Sequence, residues 1–319
     1  MIKFENIVKQ YGDKKALDHV SFTINEGEIF GLIGHNGAGK STAIKILVSI
    51  IEATAGQVSV NDLLLNEHRD EIKKHIGYVS DSPDIFLRLQ AEEYWELIKG
   101  AFDIPDDQYQ ERLEHLVHLF SLENERQEFI ENFSHGMRQK TFLIGALLPN
   151  PDIWILDEPM TGLDPQAQYD LKEMMRQHAA EGNIVLFSTH ALEVAQELCD
   201  RLVILRRGKV IYEGTLDQLQ AQNPGRSLEA IYLDMAGRKA DERDAQHEQA
   251  SEMAKIEGVD NGVAPEESEP VEEDKEVPEE IEEEQSSGTV STEMAKAHLD
   301  ELKHASSDAP VKERDDHEF

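Results

Sequence analysis

Cysteine is almost missing from this chain, and long apolar runs are missing too. Cys199 is the only cysteine among 319 residues, which excludes an internal disulfide and favours a reducing, cytosolic setting. We expect Cys199 to be a small buried hydrophobe rather than a reactive thiol. The most apolar runs, 44–51 and 153–156, are far shorter than the ~20 residues of a membrane-spanning helix. The N-terminus starts a strand pattern at once, so we expect no signal peptide.

Basic residues are also scarce, because 31 Lys and Arg face 65 Asp and Glu, for a formal net charge of −34. Such a charge argues against nucleic-acid binding, since phosphate backbones attract basic surfaces. The acidic excess is concentrated near the end of the chain. Between 266 and 284, twelve acidic residues are opposed only by Lys275. This composition cannot bury enough apolar area to offset the entropy of ordering. We therefore predict a folded domain over 1–235 and an acidic, disordered tail over 236–319.

Strand and helix patterns alternate through the predicted domain. Helical patterns separate the last three predicted strands, which implies an α/β fold with a mainly parallel sheet and right-handed crossovers. The first two strands meet at a turn around Gly12 and Asp13, and we predict an antiparallel β part there. A hairpin over 202–214, turning at Arg207 and Gly208, is expected to close the domain. The predicted strands are 2–8, 20–24, 29–33, 76–80, 153–156, 184–187 and 202–205.

Helical patterns dominate from about 81 to 148, and we interpret this stretch as a helical subdomain inserted into the α/β core. Tyr94, Trp95 and Ile98 recur at near-helical spacing and are typical of a subdomain core. The alternative is that these three side chains line a groove for a short helix of a membrane partner.

A glycine-rich segment at 34–42 matches the pattern G-x-x-x-x-G-K-[ST], directly after a predicted strand and before a predicted helix. Glycines let the backbone wrap a phosphate, while loop N–H groups and the helix N-terminus face the anion. Lys40 is predicted to reach the β- and γ-phosphates and the Ser41 hydroxyl to ligate Mg²⁺. The predicted contact residues are Gly34, Asn36, Gly37, Ala38, Gly39, Lys40, Ser41 and Thr42.

The apolar strand at 153–156 ends in two carboxylates, Asp157 and Glu158. A strand buried on both faces must be apolar, and open α/β sheets bind ligands at the carboxyl ends of their strands. Asp157 is predicted to hold Mg²⁺, through water. Glu158 is predicted to orient or deprotonate the attacking water.

The phosphate loop, the carboxylate pair and the order of segments resemble the ABC (ATP-binding cassette) ATPase family over about residues 1–220. Residues 133–137 resemble the family's signature motif and 161–165 its D-loop. His190 ends a predicted strand as the family's switch histidine does. Tyr11 stands where the family stacks an aromatic ring on adenine.

The resemblance implies a head-to-tail dimer, formed by two copies or by a pair of related ATPase subunits, that sandwiches two ATP molecules. Ser134 and the backbone N–H of Gly136 would contact the γ-phosphate bound by the other subunit. His190 would contact the γ-phosphate in its own subunit and help to hold Glu158. Asp164 would cross the interface.

The resemblance further implies an ATPase that drives a separate transmembrane permease from the cytoplasmic face of the membrane, as a peripheral subunit using ATP and Mg²⁺. One rival is an ABC ATPase that acts on ribosomes or DNA. Such proteins usually carry two cassettes or a coiled-coil insertion, and the acidic surface opposes nucleic acid. A second rival is a module that binds ATP without hydrolysing it, against which Lys40, Asp157, Glu158 and His190 argue.

Two departures from the family pattern stand out. Phe133, His135 and Met137 replace the commonest leucine, glycine and glutamine of the signature, a variation that resembles bacterial export ATPases of the sodium- and drug-efflux type. Asp81 stands where the family usually places a glutamine that touches Mg²⁺ and senses the membrane partner. Asp81 could serve Mg²⁺ directly or through water, or it could be a simple turn residue.

Overall fold

The computed structural model describes residues 1–81 and 86–235. The predicted acidic tail, 236–319, lies outside the described residues. The strands are β1 (Ile2–Tyr11), β2 (Lys14–Ile24), β3 (Ile29–Ile33), β4 (Ala55–Val60), β5 (Leu63–Leu64), β6 (Ile76–Val79), β7 (Ile153–Asp157), β8 (Ile184–Thr189), β9 (Arg201–Arg206) and β10 (Lys209–Gly214). The helices are α1 (Lys40–Leu47), α2 (Arg69–Lys73), α3 (Ala91–Ala101), α4 (Asp106–Phe120), α5 (His135–Leu147), α6 (Pro165–Ala180), α7 (Leu192–Leu198), α8 (Leu216–Ala221) and α9 (Leu228–Met235).

The central sheet has six strands in the order β10-β9-β3-β8-β7-β6, and only the β9–β10 pair is antiparallel. A second, antiparallel sheet has the order β2-β1-β4-β5. Every residue of β3, β7 and β8 is buried, which is why these strands read as continuous apolar runs. The predicted mainly parallel core with an antiparallel N-terminal part is confirmed.

The helices α3, α4 and α5 form the predicted inserted subdomain. Trp95 is fully buried, and its indole N–H donates to the carbonyl oxygen of Thr141 at 3.0 Å. Tyr94 is also buried and meets Phe142 edge to face, with ring centroids 5.2 Å apart. These contacts confirm the core interpretation for Tyr94 and Trp95, while Ile98 is only partly buried against the same cluster.

Several elements have no counterpart in the predictions, namely β4, β5, α2, α8 and α9. The hairpin β9–β10 does not end the folded part, because α8 and α9 follow it. Leu219 of α8 and Ile231 of α9 are fully buried in one cluster with Ile33 and Leu202. These two short helices therefore cover the side of the sheet next to the end of β3.

Within residues 1–81 and 86–235, the structure contains no helix whose length and apolar character would suffice to cross a bilayer. Cys199 packs against the core clusters, and burial raises the pKa of its thiol far above the ordinary value. Cys199 therefore lies among apolar neighbours as expected, although it is partly rather than fully buried.

Candidate active site

The loop between β3 and α1 turns tightly enough to require glycine at two positions. A Cβ atom at Gly34 would lie 2.7 Å from the carbonyl oxygen of Leu205. Gly39 has φ 112°, and a Cβ atom there would lie 2.8 Å from the carbonyl oxygen of Ala16. Residues with a side chain rarely adopt this φ value, and a Cβ atom at either position would collide with a neighbouring carbonyl oxygen. Both positions therefore require glycine. Helix α1 then starts at Lys40, with its N-terminus at the loop.

The side chains of Lys40, Glu158 and His190 meet at this loop. The Lys40 ammonium donates to the carbonyl oxygen of Gly34 at 2.7 Å and lies 3.2 Å from Oε1 of Glu158. His190 Nδ1 lies 2.9 Å from Oε2 of the same carboxylate. Oε1 of Glu158 is buried, and none of the described residues donates a well-aligned hydrogen bond to it. One carboxylate oxygen is therefore left with capacity for a proton donor such as water.

Asp157 is the last residue of β7, and Glu158 directly after it has φ 52°, in the left-handed region, where the strand ends. Ser188 of β8 connects the two residues. Its hydroxyl donates to Oδ1 of Asp157 at 2.5 Å and accepts from the backbone N–H of Glu158 at 3.0 Å. One buried serine of the neighbouring parallel strand thus fixes the carboxylate of Asp157 and the backbone of Glu158.

The pKa of Asp157 is raised, chiefly because the carboxyl group is buried and its charged form loses hydration. Hydrogen bonds from the Ser188 and Ser41 hydroxyls oppose this shift, and the negative charges of Asp81 and Glu158 add to it. A nearby cation would favour the ionised carboxylate, so this corner is electrostatically suited to a divalent ion.

A cavity of about 710 Å³ opens above the loop. Tyr11 lines this cavity and is half exposed, and the ammonium of Lys9 lies 5.0 Å from the centroid of its ring. Asp81 and Glu158 also line the cavity. The remaining lining residues are Lys14, Lys15, Ala16, His35, Asn36, Gly37, Ala38, Gly39, Lys40, Ser41, Thr42 and Arg207.

Most of the predicted contact residues line this cavity. Gly34, Asp157 and His190 do not line it, but each contacts a residue that does, namely Lys40, Ser41 and Glu158. The other predicted residues outside the cavity lining are Ser134, Gly136 and Asp164. Ser134 is the exposed N-cap of α5, where its hydroxyl accepts from the backbone N–H of Met137 at 3.3 Å. Asp164 caps α6 through Ala167 and forms an ion pair with Lys140 at 2.9 Å. Within one chain, the predicted signature contacts therefore lie outside the phosphate-loop cavity.

The donor set suits Mg²⁺ that arrives with a nucleotide rather than a metal held by protein alone. Within the described ranges, no group of three or more His, Cys, Asp and Glu side chains forms a metal cluster. Ser41 and Asp157 lie in hydrogen-bond contact, and both offer the hard oxygen ligands that Mg²⁺ prefers. Asp81 is exposed at the cavity wall, close enough to raise the pKa of Asp157.

Sequence reasoning missed several residues of this site. Ser188 was assigned no role, although it holds the Asp157 carboxylate and the backbone of Glu158. Lys14, Lys15 and Arg207 line the cavity with positive charge in a chain of net charge −34. A signal existed for the first two, because adjacent lysines follow the Gly12 turn beside Tyr11. No local pattern in the sequence indicates that Arg207 belongs to the site. Arg207 lies in the turn between β9 and β10, and the folding of the sheet places it beside the cavity.

Comparison with known proteins gives consistent results. A family model described as "ABC transporter" matches residues 17–161. The ABC-type transporter ATP-binding protein EcsA of Bacillus subtilis strain 168 is 33% identical over 250 residues, which cover 78% of this chain and 99% of EcsA.

Solved structures also resemble the chain. The structure of an ATP-binding subunit of an ABC transporter has 35% identity and a TM-score of 0.70, covering 74% of this chain and 99% of that one. A dimeric post-hydrolysis state of an ATP-binding cassette bound to ADP and Pi has 26% identity and a TM-score of 0.61, covering 68% of this chain and 99% of that one.

The predicted family and fold class are confirmed by these matches, whereas the roles of individual residues remain predictions. The relative is matched over nearly its whole length, and the similar structures are nucleotide-binding cassettes. The chain belongs to the ABC transporter family, as one of its ATP-binding, ATP-hydrolysing subunits.

Proposed function

We propose that this subunit binds Mg-ATP in a head-to-tail dimer and couples hydrolysis to the movement of a separate membrane protein. The observation that carries this proposal is the network of Lys40, Glu158 and His190, in which Lys40 and Glu158 line the glycine-rich cavity and His190 contacts Glu158. In this network, a cation for phosphate and an imidazole each contact the one carboxylate that would bind water.

The ion pair between Lys40 and Glu158 indicates how the site changes when ATP binds. Lys40 turns from Glu158 to the β- and γ-phosphates, which carry more negative charge than one carboxylate. Glu158, already in contact with His190, then accepts a hydrogen bond from the attacking water and its proton during hydrolysis. His190 orients the carboxylate and contacts the γ-phosphate.

Mg²⁺ would be held by Ser41 and by Asp157, directly or through water, with Asp81 as a further oxygen ligand. The ion would neutralise the charge that develops on the phosphates. Ser188 would keep Asp157 in place, and its hydroxyl would favour the ionised form of that carboxylate.

The dimer is supported by the position of Ser134 at an exposed helix N-terminus. Helix N-termini attract anions through their unpaired N–H groups and their dipole. Helix α5 has no acidic residue in its first turn that would repel a phosphate. We infer that Ser134 and Gly136 complete the site of a second subunit, either an identical chain or a related ATPase, and that Asp164 crosses the interface.

We further infer that the subunit lies at the cytoplasmic face of the membrane, bound to a transmembrane permease, and that the direction of transport is export. The direction is supported by the resemblance of the signature variation at Phe133, His135 and Met137 to export ATPases. We place the domain boundary after α9, with the helical subdomain at about 81–148 and the acidic tail at 236–319. Purification from membranes should recover a polytopic protein, and recovery with ribosomes instead would contradict this assignment.

The decisive experiment compares Glu158→Gln with the wild type. The amide cannot accept the proton from water, so we expect kcat to fall about 10²- to 10⁴-fold while ATP binding persists. With Mg-ATP, the variant should accumulate as a dimer, measured by light scattering coupled to gel filtration. Glu193→Gln, an exposed carboxylate in the first turn of α7, is the matched control and should behave as wild type. Near wild-type turnover by Glu158→Gln would contradict the catalytic assignment, and failure to dimerise would contradict the sandwich.

A further inference from the structure

The signature segment (133–137) and the D-loop (161–165) of the same chain lie directly against each other. A Cβ atom at Gly162 would lie 2.0 Å from Cδ2 of His135 and 3.1 Å from its Cγ. A Cβ atom at Gly136 would lie 2.6 Å from the carbonyl oxygen of Gly162. The imidazole of His135 therefore covers the backbone of Gly162 so closely that no side chain fits between them.

An ion pair joins the same two segments one helical turn further on. Lys140 of α5 lies 2.9 Å from Oδ2 of Asp164, while Oδ1 of Asp164 accepts from the backbone N–H of Ala167 and caps α6. The hydrogen bond from Ala167 and the contact with Lys140 hold the pKa of Asp164 below its ordinary value. The N-terminal ends of α5 and α6 are thus joined by packing at His135 and by charge at Lys140.

These two segments would serve different nucleotides in the proposed dimer, on which this inference rests. The D-loop begins three residues after Glu158, so it moves with the carboxylate of its own cavity. The signature segment lies outside that cavity and would face the nucleotide of the other subunit. A rigid contact between them would connect the two nucleotide sites of the dimer through one chain.

We propose that His135 is a positioning residue that locks the signature segment to the D-loop, so that the state of Glu158 in one site sets the position of Ser134 in the other. A glycine at position 135, the commonest residue of the resembled signature, would have no side chain to make this contact. His135 itself is exposed and touches Gly162 from the solvent side. In this proposal the two segments move as one body, because the contacts at His135 and Lys140 join them.

A double-mutant cycle tests the contact itself. Gly162→Ala adds a methyl group that collides with His135 and also strains a backbone at φ 79°. Gly182→Ala is the matched control, because Gly182 has φ 93° and nothing within 4 Å of its added Cβ atom. We expect Gly162→Ala to lower the ATPase rate about threefold to tenfold beyond the control. His135→Ala should recover most of this additional loss in the double variant, because it removes the colliding ring. No recovery, or equal rates for the two glycine variants, would overturn the proposal.

A second measurement tests coupling between the sites and separates this inference from the proposed function. We expect wild-type ATPase activity to depend cooperatively on ATP, and His135→Ala to bring the Hill coefficient close to one. In the Glu158→Gln background, His135→Ala should weaken ATP-dependent dimer formation about threefold to tenfold. Binding of a fluorescent ATP analogue to the monomer should not change, because the phosphate loop is untouched.

The outcomes distinguish the two ideas. If Glu158→Gln dimerises with ATP but His135→Ala changes neither cooperativity nor dimer affinity, the proposed role of His135 is wrong and the proposed head-to-tail dimer is supported. If Glu158→Gln does not dimerise at all, both the head-to-tail dimer and the proposed role of His135 are overturned. Loss of monomer ATP affinity in His135→Ala would also contradict the lock, since it would assign His135 to nucleotide binding in its own subunit.

Discussion

The phosphate-loop cavity and the signature segment differ in how complete each one is within a single chain. Lys40 is 6% exposed and is held by Gly34 and Glu158, and Glu158 is held in turn by His190. Ser134 is exposed, and its hydroxyl makes one local contact, to the backbone N–H of Met137. The residues of the cavity thus form a complete network within one chain. The signature segment makes only local contacts and would need a second subunit to complete a nucleotide site.

The two regions share a positive electrostatic character in an acidic chain. Lys14, Lys15, Lys40 and Arg207 line the cavity. At the signature segment, the N-terminus of α5 supplies partial positive charge from its backbone N–H groups. Both regions therefore suit phosphate, and the difference between them is that the cavity encloses its ligand while α5 can only present its end to one. Changes in the cavity should affect nucleotide binding, and changes at α5 should affect dimer formation.

Among the variants that probe this comparison, the largest effect on nucleotide binding is expected from Lys40→Ala, which removes the ammonium group that contacts Gly34 and Glu158. Removing a charge-assisted contact to phosphate should weaken nucleotide affinity about 10- to 100-fold. Equilibrium titration with a fluorescent ATP analogue measures this loss. Lys45→Ala, an exposed lysine on the same helix, is the matched control and should bind normally. Equal affinity of the two variants would mean that Lys40 serves the structure and not the nucleotide.

Ser188→Ala should have the next largest effect, because it removes the hydrogen bonds that β8 makes with the carboxylate of Asp157 and with the backbone N–H of Glu158. We expect about a tenfold loss of ATPase activity, as when the support of a metal ligand is removed. The Ser188 hydroxyl lowers the pKa of Asp157, so its loss should raise that pKa further and move the acidic limb of the pH–rate profile to higher pH. Ser59→Ala, a buried serine in the antiparallel sheet, is the control. An acidic limb at the same pH as in the wild type would mean that Ser188 does not affect the pKa of Asp157 that governs activity.

Ser134→Ala tests the other side of the comparison. Nucleotide binding by the monomer should stay normal, while ATP-dependent dimer formation in the Glu158→Gln background should weaken about fivefold. The variant also loses a helix cap, which costs about 1 kcal/mol of stability. Thr215→Ala removes the N-cap of α8 and controls for that cost. Weaker ATP binding by the monomeric Ser134→Ala variant would contradict the assignment of nucleotide binding to the phosphate-loop cavity and of dimer formation to the signature segment.

The smallest effect is expected from deletion of residues 238–319. Every residue assigned a role lies before this segment, and α9 ends at Met235. The melting temperature and basal ATPase activity should be nearly unchanged. At low salt, loss of the acidic charge should slightly favour dimer formation by reducing repulsion. A large drop in melting temperature would show that the boundary after 235 is wrong, and loss of transport with intact ATPase activity would make the tail a docking or regulatory arm.

Some elements could be predicted from the local sequence because a single requirement, such as burial of a strand on both faces, determined their residue pattern. Strand β3 is apolar throughout and ends at a glycine, and its predicted bounds match the structure. Strand β4 was missed because its first half is exposed and it starts with Ala55 and Gly56, which favour no strand. Its pairing with β1 makes it a strand, and that pairing is a long-range contact. Helices α8 and α9 were missed for a similar reason, since they are short and depend on the cluster around Ile33.

The sequence by itself determined the family, the fold class and the ends of the strands where the phosphate loop, Asp157 and His190 lie. It could do so because glycine spacing, buried apolar strands and the polar residues that follow them are local features. Only the tertiary structure decided that Ser188 bridges the Asp157 carboxylate and the Glu158 backbone, that Arg207 reaches the cavity and that His135 covers Gly162. Each of these contacts joins segments distant in sequence, and the distance between two such side chains is set by sheet order and helix packing rather than by spacing along the chain.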